Sequence, residues 1–412
     1  MLDESAERLV SARWVLPIVD APIRDGAVVM TADGVVVAVG TRDQLRRRFP
    51  AASEERAQGV LLPGLVNAHC HLELSALSGQ VPGGKGLVAW ATALVRARGA
   101  VAADRLAGAV ADAATAAVRL GTAVVGDVGN SLAAVGAIAQ AGLRGIVFHE
   151  LVGSRDALTG DALADAAREF GELTADRQWP AGLAYTPAPH APYSVGPELL
   201  RRIFSTAARI GLPTSIHIAE DEDEIALLRD GTGRWPAILE VMGVAAGSRV
   251  PRMAPCAYLE SLGAFAAPAP PLLVHMVHAS AEDRRLASDA GAVVVLCPRS
   301  NLHIGGRLPD VPALIADGIG LALGTDSLAS ADTLSLWAEM ATLHAAFPAV
   351  PATRWLDAAT RGGAEALQLP AYGALTPGKR PGLLDVLIDD MAAPIESLVR
   401  DPEPCLRWVA RA

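Results

Sequence analysis

The sequence predicts an α/β protein: a (β/α)8 barrel of the TIM type with a small β-sandwich domain formed by the N- and C-terminal segments. Three observations carry this. Short apolar runs rich in Val, Ile and Leu alternate with Ala-rich helical stretches through the middle of the chain. Nearly every run finishes in His, Asp, Glu, Asn or Ser, at the strand end where a barrel of this type carries its active site. Short β-branched runs lie at both ends of the chain, and domain termini are often close enough to pair.

In chain order, "RLVSARWVLPIV", "GAVVMTADG" and "GVVVAVG" are β runs bounded by Gly and Asp, and they assign residues 1–60 to the small domain. The barrel spans 61–365. Its eight strand candidates are "GLVNAHCH", "GTAVVGDVG", "LRGIVFHEL", "AGLAYTPAPH", "LPTSIHIAE", "PLLVHMVHA", "AVVVLCPRS" and "LALGTDS". Each precedes a candidate helix such as "AAVGAIAQAG" or "EDRRLASDAG". Residues 231–271, with "GTGRWP" and a Pro/Ala tract, form an insertion over the barrel mouth. The stretch "GALTPGKRPGLLDVLIDD" returns to a turn and a strand, so 366–412 completes the small domain.

The 412 residues are 51% hydrophobic and 19% charged, which excludes a disordered chain and fits a well-buried enzyme. A net charge of −10 argues against nucleic acid or an anionic membrane as partner and leaves a small-molecule substrate. A homodimer stays open. The acidic start "MLDESAERLV" has no targeting core, and no apolar run of about 20 residues suggests a membrane span. Four scattered cysteines form no CxxC pair, so a reducing cytoplasm is the expected location.

Residues two apart on a strand share a face, so His69 and His71 can converge on one point while Cys70 faces the opposite layer. His217, in "TSIHIAEDEDE", ends a later strand, and Glu220 follows where the chain leaves it. "LLVHMVHAS" offers His275 and His278 on opposite faces, one for function and one for structure. Asp326, in "LALGTDSLAS", ends the last run. Three imidazoles and a carboxylate suit one divalent ion, Zn²⁺ first, with Fe²⁺ or Mn²⁺ as alternatives. Such an ion would lower the pKa of a bound water toward neutrality.

The motifs "PGLVNAHCH", "HIAEDEDE", "LVHMVH", "CPRSN" and "GTDSLAS", in this order, resemble the amidohydrolase superfamily, in particular its branch that deaminates purines and pyrimidines. The flanks "GVVVAVG" and "LTPGKRPGLLDVLI" resemble that family's two-part β-sandwich. The resemblance implies His69, His71, His217 and Asp326 as metal ligands. It implies Glu220 as the proton shuttle, His275 as the group that holds and polarises the attacking water, and Asp326 also as base. Binuclear relatives bridge their metals through a carboxylated lysine at a strand end. The only lysines here, Lys85 and Lys379, lie in a Gly-rich loop and in the terminal β segment, which implies a mononuclear site. The chain has no PCxxC motif, unlike the Cys-rich zinc deaminases.

Four narrower features, "HCHLELS", "HAPYS", "CPRSN" and "GTDSLASADTLSLWAEM", resemble the aminodeoxyfutalosine deaminases of menaquinone biosynthesis. That resemblance implies hydrolysis of an adenine ring to hypoxanthine with release of ammonia. It offers Glu73, His190, Arg299 and Asn301 as substrate contacts, Arg299 against a benzoate carboxylate. Adenosine-, S-adenosylhomocysteine/methylthioadenosine-, guanine- and cytosine-type deaminases and chlorohydrolases share the scaffold. A barrel without catalysis is the alternative of another class, and it would be expected to have lost ligands that are all present here.

Overall fold

The computed structural model describes residues 7–153, 159–175, 178–241, 250–266 and 269–412. The first five strands are β1 (Arg8–Val15), β2 (Ile23–Met30), β3 (Val36–Thr41), β4 (Ser53–Arg56) and β5 (Val60–Leu62). The last two are β14 (Leu383–Val386) and β15 (Leu406–Ala410). Hydrogen bonding joins these seven into one mixed sheet in the order β15-β14-β5-β1-β2-β3, with β4 on β1. The short strand β5 makes the join: it runs parallel to β1 on one side and antiparallel to β14 on the other. The two ends of the chain therefore meet in one element, as their apolar β-branched runs suggested.

Between them lie β6 (Leu65–Cys70), β7 (Thr122–Gly129), β8 (Arg144–Leu151) and β9 (Leu183–Pro189), then β10 (Ser215–Ile218), β11 (Leu272–His275), β12 (Val293–Leu296) and β13 (Gly320–Leu323). All eight expected runs are strands, arranged as two parallel four-stranded sheets. Two seams join the sheets. At the first, His217 N donates to His190 O at 3.0 Å. At the second, Thr325 N and Asp326 N donate to His69 O, and His71 N donates back to Asp326 O. Cys70 and Asp326 form a parallel bridge across this second seam. A Cβ on Gly324 would sit 2.7 Å from His69 O, so only glycine allows the first and last strands to come this close.

The strands are almost wholly buried, and this explains why they read as continuous apolar runs rather than alternating ones. Both helices singled out above form, as Val135–Ala141 and Ala281–Asp289; Ser280 and Asp283 close a capping box on the second. Trp408, on β15, donates its indole N–H to Val118 O at 2.8 Å and packs against apolar clusters of the barrel. It ties the terminal sheet to the barrel. In the 231–271 stretch, helices Trp235–Val241 and Pro255–Ser261 are present, while 242–249 and 267–268 lie outside the described residues. Among the described residues no helix is long and apolar enough to cross a membrane. All four cysteines are free.

Candidate active site

The strand ends bring His69, His71, His217, His275 and Asp326 into one buried cluster. His71 Nε2 lies 3.1 Å from His69 Nε2 and 3.2 Å from His217 Nε2. Asp326 Oδ1 is 3.6 Å from the same His71 atom. Ligand nitrogens bound to one ion at ordinary Zn–N lengths stand about 3.3 Å apart, so these three atoms already occupy the edges of a coordination shell. The donors are nitrogen and carboxylate oxygen, the set that suits Zn²⁺, Fe²⁺ or Mn²⁺. The residues therefore fit a divalent metal.

Partners on the far side of each ring fix the ligand atoms. His217 Nδ1 donates to His190 O at 2.9 Å, which leaves its Nε2 lone pair facing the cluster. Ser300 and Ser330 both donate hydroxyls to Asp326 Oδ2, the second at 3.1 Å, so Oδ1 is turned toward His71. Burial pushes His69 and His217 well below the usual imidazole range, and neighbouring imidazoles push them further. Neutral imidazole is the form that binds a metal. Both Asp326 and His275 have positive φ, 55° and 78°, where the chain bends off the strand ends.

His275 and Glu220 stand beside this cluster. His275 Nε2 is 3.5 Å from Glu220 Oε1, and burial takes His275 to about 4. Burial, reinforced by the Asp326 charge, pushes Glu220 well above the usual carboxylate range. A buried carboxyl that keeps its proton at neutral pH can donate it to a substrate. The main chain at Glu220 is held from behind: Glu224 accepts the N–H of Ala219 and of Glu220, both at 2.9 Å. His278 lies on another face, 3.8 Å from Glu222.

A cavity opens over the cluster. Its inner wall includes Glu150, His190 and Tyr193, and its cover includes Trp90 and Trp235. Trp235 comes from the 231–271 stretch and stacks on Tyr193, with ring centroids 4.4 Å apart. Glu73 and His190 both line this cavity. Glu73 is already engaged: Oε1 accepts Ser131 N and Oγ at 3.1 and 2.5 Å, and Oε2 accepts from Arg98 at 3.2 Å. His190 shares a 2.6 Å hydrogen bond between Nδ1 and Ser194 Oγ.

The other two expected substrate contacts lie elsewhere. Arg299 does not line this cavity; its guanidinium is held by Asp332 and its main-chain N–H donates to Glu339. It lies in the first turn of the helix Pro298–Gly305, beyond the strand end. Asn301, on the same helix, bonds to His275 Nδ1 at 2.9 Å and lines an adjoining polar cavity that shares Glu220. Its contact is with a site histidine.

Sequence reasoning missed Glu150, Asn130, Arg98, Trp90 and Trp235, all on the cavity wall. Glu150 ends "LRGIVFHEL", so its place at a strand end was an available signal. The other four come from loops and helices, where no local pattern marks a residue that faces a pocket.

A model of the amidohydrolase family matches residues 60–404. An aminodeoxyfutalosine deaminase from Deinococcus radiodurans is 36% identical over 373 residues, covering 87% of this chain and 84% of that one. A 5-methylthioadenosine/S-adenosylhomocysteine deaminase from Nitratidesulfovibrio vulgaris is 32% identical over 401 residues, covering 94% and 84%. The solved structure of Helicobacter pylori aminofutalosine deaminase with methylthio-coformycin superposes with a TM-score of 0.86 at 24% identity, over 96% of this chain and 97% of that one.

Proposed function

The chain belongs to the amidohydrolase family and is a hydrolase of C–N bonds, and from this premise we propose that it deaminates an adenine-type nucleoside, 6-aminodeoxyfutalosine, in menaquinone biosynthesis. The observation that carries the reading is the buried convergence of three Nε2 atoms and Asp326 beside Glu220, a carboxyl that burial pushes toward its protonated form. The relatives from Deinococcus and Nitratidesulfovibrio, whose names specify adenine-nucleoside substrates, support it.

In this reading His69, His71, His217 and Asp326 hold one divalent ion, zinc by its ligand set. When bound, the ion supplies Lewis acidity and a nucleophile at neutral pH. The chain's own residues do the rest. Glu220 gives its proton to the ring nitrogen next to the attacked carbon. Asp326 takes a proton from the attacking water, which His275 orients. The C–O bond forms. Glu220, now a carboxylate, relays the proton taken by Asp326 to the amine, the C–N bond breaks and ammonia leaves. The remaining hydroxyl proton returns to Glu220 as the ring carbonyl forms. His190 and Glu73 face the nucleoside from the cavity wall.

The same proposal covers the division of the chain. Residues 1–60 and 366–412 form the small domain and 61–365 the barrel. The terminal sheet folds over on itself as a two-layer sandwich, a reading supported by one apolar cluster that draws buried residues from β1, β2, β3, β5 and β14. The enzyme works in the cytoplasm.

The test is ammonia release by the metal-loaded protein, with metal counted per chain. The panel is aminodeoxyfutalosine, adenosine, methylthioadenosine, S-adenosylhomocysteine, guanine and cytosine. Aminodeoxyfutalosine should be turned over fastest with one ion per chain; much faster turnover of another member would replace the substrate. Glu220→Gln should lower kcat by roughly 10²- to 10⁴-fold, the usual worth of a placed proton donor. Activity within a few-fold of wild type would remove Glu220 from the proton transfer.

A further inference from the structure

Beyond the cluster, the mouth of the cavity combines two features that seldom meet. Arg98 is the only permanent cation among the described residues that line the cavity. Beside it, Leu94, Val95 and Val152 form an apolar lip. Val95 is 49% and Val152 41% exposed, among the few large apolar side chains left so open.

Arg98 is held in place. One terminal nitrogen donates to Asn130 Oδ1 at 2.7 Å and the other to Glu73 Oε2 at 3.2 Å. Asn130 is anchored in turn by donating Nδ2–H to Glu150 Oε2 at 2.8 Å. The guanidinium plane is thus set by protein partners on one side. The side chain is still 39% exposed, and a guanidinium has five N–H donors, of which these two bonds use two. The remaining donors can take a carboxylate with both oxygens.

We propose that Arg98 and the Leu94–Val95–Val152 lip form a subsite for an aryl carboxylate carried on the ribose side of the nucleoside. The ring lies on the apolar lip and its carboxylate pairs with Arg98. This rests on the adenine-nucleoside reading of the catalytic cluster. It also moves the carboxylate contact from Arg299, which Asp332 and Glu339 hold away from the cavity. A fixed cation next to desolvating apolar surface favours an anion that brings apolar surface of its own over a small hydrated one.

Two synthetic probes test it: 5′-S-(3-carboxyphenyl)-5′-thioadenosine and 5′-S-phenyl-5′-thioadenosine, which differ only in the carboxylate. Their inhibition or Michaelis constants are measured on wild type, Arg98→Met and Arg98→Lys. Wild type should prefer the carboxylated probe by roughly 10- to 100-fold, the worth of charge-assisted hydrogen bonds at a partly desolvated site. Arg98→Met should remove that preference, and Arg98→Lys should keep part of it. Because the readout is a ratio, a general loosening of Glu73 and Asn130 cancels. No preference in wild type, or one that survives Arg98→Met, overturns the subsite, and so does failure of both probes to bind. Failure to deaminate aminodeoxyfutalosine would instead strike the substrate assignment, whatever the ratio.

Discussion

Asp326 shows how atoms remote from the substrate can set a site. Ser300 and Ser330 occupy its Oδ2, with Oδ1 directed at His71. All three side chains are buried, so no water can replace a lost hydroxyl without a cavity to hold it. Ser300→Ala should weaken metal binding by roughly 10- to 100-fold, the usual cost of removing a group that orients a ligand. Competition with a chelator measures this directly, and an unchanged affinity would deny Ser300 that role. The sequence displayed Asp326 plainly because it ends an apolar run. It gave no sign that Ser300 reaches Asp326, since that contact exists only once two neighbouring strands lie side by side. Arg299, in the same "CPRSN", showed the converse: a polar residue near a strand end whose side chain is engaged by Asp332 and does not line the cavity.

At the scale of elements, the turn after β10 carries Glu220, the proposed proton donor, and the helix Glu222–Asp230 holds that turn. Ala219 has φ 50°, a strained value for a residue with a Cβ, and Glu224 reaches back to the N–H groups of Ala219 and Glu220. Burial lifts Glu224 to about 8, against the pull of those two donors. The folded chain therefore binds this proton more tightly than the unfolded one. Its contribution to stability is complete below the ordinary carboxylate range and is lost as pH rises toward about 8. Glu224→Gln should flatten the fall of melting temperature with rising pH over that window, relative to wild type. Parallel curves for the two proteins would mean that Glu224 does not titrate there.

The sequence shows "EDEDE" as a negative first turn and cannot tell which carboxylate turns inward. It did show all eight barrel strands, because strands buried on both faces must be continuously apolar. Strand β4, "SEER", went unseen for the opposite reason: it is mostly exposed and polar, and pairing with β1 alone makes it a strand.

For the molecule as a whole, Trp408 links the terminal sheet to the barrel. Its indole bonds to Val118 O, and its ring would lie 2.9 Å from a Cβ at Gly64, at the start of the first barrel strand. Trp408→Ala should cost about 3 kcal/mol of stability, in line with large aromatic truncations. Denaturant unfolding checks the value, and a loss under about 0.5 kcal/mol, the range of ordinary surface changes, would show the two parts to be held elsewhere.

The seam between Cys70 and Asp326 has a consequence for the life of the chain. His69 and His71 emerge early in synthesis, whereas Asp326 emerges only after most of the barrel. The last strand must dock against the first before all the ligands share one point. Contacts so distant in sequence form late and slowly. A chain cut before the last strand therefore has the histidines but not the complete proposed clamp. The proposed clamp is therefore complete only when the last strand has closed the ring on the first.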